Sequence, residues 1–177
     1  MTLGEAYNRL NLRADFLPAG ASNRPGGSWP KSSVTIHETA NAAAGANAAA
    51  HAVYMKGPDA RRRRVSWHYT VDSAEAVKHL PLTERSWHTS NRAANGGSIS
   101  IELCVNKDGD FRATVDRAAL LTAILLYEYQ WEPGSARIRQ HHSWTGKDCP
   151  ALLRRDGRGW SGFLGRVASY WEDLKKG

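Results

Sequence analysis

Polar and apolar residues alternate along residues 98–105, with Ile99, Ile101, Leu103 and Val105 on one side and Ser98, Ser100, Glu102 and Cys104 on the other. That is the two-residue period of a β-strand. Residues 33–41 repeat it, setting Val34 and Ile36 against Thr35 and His37. Residues 65–71, rich in aromatic and β-branched side chains, predict a third strand, and residues 77–80 its hairpin partner. A helix starting at Asn41 or Gly45 is predicted through Met55; its small residues suit close packing on a sheet, and Gly57-Pro58 ends it. Residues 116–131 are apolar nearly all round, through Leu120, Leu121, Ile124, Leu125 and Leu126, which predicts a helix buried against the sheet. Trp160, Phe163, Leu164, Val167, Trp171 and Leu174 recur at helical spacing, with Arg166, Glu172 and Lys175 outside, so a last helix packs on the core. A short helix near residues 3–12 and a turn at 106–110 complete the pattern. Strands alternating with helices predict an α/β layer fold.

Length and composition add scale and charge. A chain of 177 residues with 41% hydrophobic residues is expected to form one domain, 1–177, with enough core to fold without staples. Residues 1–32, which carry Pro18, Gly20, Pro25, Gly26, Gly27 and Pro30, read as a lead-in wrapping that domain. No apolar run reaches membrane-spanning length, and Met1-Thr2-Leu3-Gly4-Glu5 lacks the basic and apolar regions of a secretory leader. Synthesis in the cytoplasm without membrane insertion is therefore expected, as a monomer. The 24 Lys+Arg against 17 Asp+Glu give a net charge of +7, which attracts polyanions, either nucleic acid or an anionic cell wall. Arg61-Arg62-Arg63-Arg64 is expected in a solvated loop between helix and strand, or as a wall-attracting patch.

Candidate chemistry concentrates in Arg139-Gln140-His141-His142-Ser143-Trp144-Thr145-Gly146-Lys147-Asp148-Cys149-Pro150. A catalytic zinc site takes three protein ligands, neutral imidazole and thiolate among them, and keeps a fourth position for water. His141 and Cys149 can supply two ligands, and His37, at the end of a strand with an apolar underside, is the best third. Cys104 is a rival by residue type, although a buried free cysteine is usually a small hydrophobe. His142 is the other rival, and in an extended segment only one of two neighbours faces the metal. A carboxylate mid-strand, such as Glu102, is costly without a partner or a task. His68 reads as either a satisfied structural histidine or a substrate contact. His88, between Trp87 and the polar residues 89–92, reads as a substrate contact, and His51 and His79 as surface histidines. Two other zinc patterns fail on spacing: a metalloprotease H-E-x-x-H begins at His37-Glu38 but meets Asn41, and a deaminase would need a cysteine where Leu152 stands.

Thr35-Ile36-His37-Glu38-Thr39-Ala40-Asn41, Ser66-Trp67-His68-Tyr69-Thr70-Val71-Asp72, Pro81-Leu82 with Ser86-Trp87-His88, Ser98-Ile99-Ser100-Ile101-Glu102-Leu103-Cys104 and residues 141–150 occur in that order. Together they resemble the successive motifs of the zinc-dependent N-acetylmuramoyl-L-alanine amidases. That family includes phage endolysins and bacterial autolysins and is related to the peptidoglycan recognition proteins. The resemblance runs from about residue 21 to about residue 160. It implies a central mixed β-sheet with helices on both faces, and bacterial peptidoglycan as the partner rather than nucleic acid. It further implies hydrolysis of the amide between the lactyl group of N-acetylmuramic acid and L-alanine. By the same resemblance His37, His141 and Cys149 hold one Zn²⁺, the family spacing selecting His141 over His142. Glu102 is matched to the general base and acid, Lys147 to the cation that steadies the oxyanion, and His68 and His88 to substrate contacts. No appended wall-binding module is recognised, and an enzyme without a leader would reach the wall after release, as phage endolysins do. Two rivals are a non-catalytic peptidoglycan recognition module and a nucleic-acid binder; the retained His37, His141, Cys149, Glu102 and Lys147 speak against both.

Overall fold

The computed structural model describes residues 1–155 and 157–177. Among them, six strands form one sheet: β1 (Leu12–Ala14), β2 (Ser33–Glu38), β3 (Tyr69–Val71), β4 (Ala76–Lys78), β5 (Ser98–Leu103) and β6 (Ile138–Gln140). Their order is β1-β4-β3-β5-β2-β6, parallel except for the β3–β4 hairpin, so the sheet is mixed. The helices are α1 (Leu3–Leu10), α2 (Ala48–Lys56), α3 (Pro58–Arg63), α4 (Arg92–Gly97), α5 (Phe111–Glu128), α6 (His141–Thr145), α7 (Ala151–Arg154) and α8 (Arg158–Lys176). No helix among the described residues is long and apolar enough to cross a membrane.

Alternation in β2 and β5 decides which face is greasy. Val34, Ile36, Ile99, Ile101 and Leu103 join Leu121, Ile124 and Leu125 of α5 and Phe163 and Val167 of α8 in the main core. Burial of each such side chain contributes roughly 1.5–3 kcal/mol. On the opposite face, Ala48 and Ala52 of α2 lie against Val77 and Cys104, as the small residues predict. Helices thus cover both faces of the sheet.

Several boundaries differ from the expectation for local reasons. α5 starts at Phe111 because Asp110, assigned to the preceding turn, caps it by accepting from Arg112 N and Ala113 N at 2.9 and 3.1 Å. α2 starts at Ala48 because Asn47 Oδ1 accepts from Ala50 N at 3.0 Å. The arginine run does not form a loop: Arg61, Arg62 and Arg63 make the last turn of α3, which Pro58 opens and Asp59 supports through Arg62 and Arg63. Residues 65–68 precede β3, Ser66 N donating to Trp87 O at 3.1 Å. β1 and β6 carry no usable periodicity at three residues each. Within residues 1–32, α1 has a Thr2/Glu5 capping box, and the Arg24 guanidinium forks onto Glu84 at 2.6 and 2.8 Å. His51 and His79, expected at the surface, are buried. His79 Nε2 lies 2.8 Å from Thr70 Oγ1, and His51 Nδ1 lies 2.9 Å from Asn47 O.

Candidate active site

Parallel pairing of β2 with β5 sets His37 opposite Glu102 in register. β6 flanks β2 on its other side and stops at Gln140, so His141, the first residue of α6, emerges at the same carboxyl end of the sheet. This is where open α/β sheets collect their ligand-binding groups. Trp144 of α6 ties back to β2 through Nε1–H donating to Thr35 Oγ1 at 3.0 Å. Gly146, at φ +77°, takes the left-handed conformation that turns the chain back. The return is closed by His142 N donating to Cys149 O at 2.9 Å. Nitrogen and sulfur atoms of His37, His141 and Cys149 thereby come within 4.8 Å of one another, all three residues buried. His37 Nδ1 lies 3.9 Å from Cys149 Sγ and 3.8 Å from Glu102 Oε1.

The ionisable groups of the site are buried, and their titrations follow from that. Burial, reinforced by His88, His141 and Lys147, holds His37 well below the usual imidazole range. Burial and Lys147 lower His141 to about 4. Burial raises Glu102 to about 8 against the pull of Lys147, and burial with the Glu102 charge pushes the Cys149 thiol up to about 12. Neutral imidazoles are what a metal takes, and a cation among these groups favours the thiolate and the carboxylate. His141 Nδ1 and Glu102 Oε2 are among the buried atoms that have no hydrogen-bond partner in the described residues. Unsatisfied buried polar atoms are costly and mark a place where chemistry is expected.

The other expected residues separate. Lys147 lines a cleft of about 400 Å³ together with Glu102, His88, Trp67, Trp87 and Tyr54, and a more open one of about 750 Å³ with His141, Thr145 and Arg64. His88 borders both clefts. His68 does not reach either: it is fully buried, with Nδ1 2.9 Å from Ser100 Oγ and Nε2 3.1 Å from Glu84 O. Its burial and its two hydrogen-bond partners fit the structural one of its two readings. His142 lies outside the cluster of His37, His141 and Cys149, and Cys104 sits in its own apolar cluster, 3.8 Å from His51 Nδ1. Arg63 and Arg64 edge the clefts, the Arg64 guanidinium 6.0 Å from the centre of the Trp87 ring.

Glu38 holds the site together without having carried a sequence expectation. The Glu38 carboxylate accepts from Leu152 N at 2.8 Å and Leu153 N at 3.0 Å, fastening α7, and with it the segment that carries Cys149, to the end of β2. Its only signal is a carboxylate directly after the strand-end histidine.

A family model described as N-acetylmuramoyl-L-alanine amidase matches residues 28–152. The chain is 44% identical over 146 residues to N-acetylmuramoyl-L-alanine amidase XlyA of Bacillus subtilis (strain 168), covering 81% of this chain and 48% of that protein. It is 37% identical over 163 residues to CwlH of the same organism, covering 90% and 62%. The chain thus spans about half to three fifths of the length of these curated relatives. The solved catalytic domain of XlyA superposes with a TM-score of 0.81 at 42% identity, covering 89% of this chain and 99% of that domain.

Proposed function

The chain belongs to the N-acetylmuramoyl-L-alanine amidase family, and on that premise we propose that it hydrolyses the amide between the lactyl group of N-acetylmuramic acid and L-alanine of the peptidoglycan stem peptide. His37, His141 and Cys149 would hold one zinc ion. The observation that carries this reading is the gathering of two imidazoles and a thiol within 4.8 Å beside a buried carboxyl. The donor set fits zinc in type and number for a catalytic site, and the orphaned His141 Nδ1 is the condition expected of a ligand atom. Bound there, zinc would lower the pKa of water and polarise the scissile carbonyl.

The protein groups have distinct work. Glu102 accepts a proton from the attacking water and returns it to the departing alanine nitrogen as the carbonyl carbon–nitrogen bond breaks. Its raised pKa and unpartnered Oε2 suit it to both directions of transfer. Lys147, on the cleft wall with Glu102, supplies positive charge where the carbonyl oxygen becomes an oxyanion. Trp67, Trp87 and Tyr54 offer apolar walls to sugar and peptide. The net charge of +7 favours approach to an anionic wall, where the protein acts as a monomer after release from the cell that made it.

Digestion of purified peptidoglycan followed by mass analysis tests this. New free L-alanine amino groups together with lactyl carboxyls on intact glycan are expected. New reducing sugar ends, or cleavage confined to the cross-bridges, would overturn it.

A further inference from the structure

His88 is fixed at a second boundary of the site. Asn95 of α4 clamps its backbone, Oδ1 accepting from His88 N at 3.1 Å and Thr89 N at 2.9 Å, while Nδ2 donates to Thr89 O at 2.9 Å. The His88 ring then spans two partners. Nε2 lies 3.1 Å from Ala94 O, and Nδ1 lies 2.8 Å from His37 Nε2.

Proton counting leaves one arrangement of these rings. A carbonyl oxygen only accepts, so His88 Nε2 carries the proton and donates to Ala94 O. In a neutral imidazole the other nitrogen is then an acceptor, so His88 Nδ1 receives from His37 Nε2–H. That places the lone pair of His37 on Nδ1, the atom that faces Cys149 Sγ at 3.9 Å and Glu102 Oε1 at 3.8 Å. The opposite tautomer of His37 would set two lone pairs against each other across 2.8 Å and turn an N–H toward the thiol.

We propose that His88 is a positioning residue: a chain from the Ala94 carbonyl through His88 holds His37 in its Nε2–H tautomer and presents Nδ1 as the metal-binding atom. This rests on the reading of His37 as a zinc ligand, and it gives each His88 ring nitrogen a partner within the protein. Outer partners that fix a ligand's tautomer typically change metal affinity by roughly 10–100-fold when removed.

The test uses the whole chain, labelled with ¹⁵N. Long-range ¹H–¹⁵N correlation spectra distinguish imidazole tautomers, and in metal-free wild-type protein His37 is expected with its proton on Nε2. His88→Ala should lose that single tautomer and weaken zinc binding roughly 10–100-fold in competition with a chromophoric chelator. His88→Asn, whose Oδ1 can accept from His37 Nε2–H, should restore both. Wild-type His37 protonated on Nδ1 would overturn the proposal even if no variant folds, as would unchanged tautomer and zinc affinity in His88→Ala. Wild-type protein that takes up no zinc would overturn the metal reading instead, and the metal-free spectra would still decide the tautomer.

Discussion

Glu102→Gln keeps the shape of the side chain and removes its titration, so it separates the cost of this carboxyl from its use. Burial raises the carboxyl from 4.5 to about 8 in the folded chain. With a raised folded pKa, the acid's contribution is intact below the unfolded value and is lost as pH climbs, because the unfolded chain releases the proton first. At about 1.36 kcal/mol per unit, the loss integrates to about 1 kcal/mol near pH 5 and about 4 kcal/mol near pH 8. Glutamine carries no such dependence. In chelator-treated protein the stability of Glu102→Gln relative to wild type should therefore improve by about 3 kcal/mol between those two pH values. Urea unfolding of both proteins at each pH measures it, and the double difference cancels the titrating groups that lie away from Glu102. A gap that stays constant with pH would refute the burial of the Glu102 carboxyl as the cause of its raised pKa. In the zinc-loaded enzyme the same variant should lose ~10²–10⁴-fold in wall hydrolysis, the scale of general acid–base catalysis. Near-normal turnover would move proton transfer to another group.

His141→Ala should lose bound zinc and His142→Ala should keep it, since only the former belongs to the cluster with His37 and Cys149 that we propose holds the metal; elemental analysis with the reverse pattern would overturn the register. Lys147→Ala is expected to lower kcat by ~10²-fold, as removal of an oxyanion-stabilising group does, while binding to purified walls persists. A parallel loss of wall binding would assign the lysine to attachment instead. Glu38→Ala strands the N–H groups of Leu152 and Leu153 and should cost roughly 2–4 kcal/mol in denaturant unfolding, whereas a loss under about 1 kcal/mol would mean water replaces the carboxylate.

The sequence by itself determined what is local and periodic. Alternation in β2 and β5 named the residues that meet α5 and α8, because a strand repeats every two residues whatever lies above it. The spacing from His141 to Cys149, with Gly146 between them, singled out the returning segment before any fold was known. Tertiary structure decided the rest. His68 and His88 each follow a tryptophan in the sequence, yet one is sealed under Ser100 and Glu84 while the other bonds His37. No periodicity separates them, since the difference lies in which long-range partner each ring meets. Glu38 and Glu102 diverge for the same reason: one satisfies two backbone donors of α7, and the other is set beside His37 by the register of β2 on β5. A side chain's type limits the bonds it can make, but burial and proton placement depend on atoms supplied by distant strands, and only the folded sheet brings those atoms within reach.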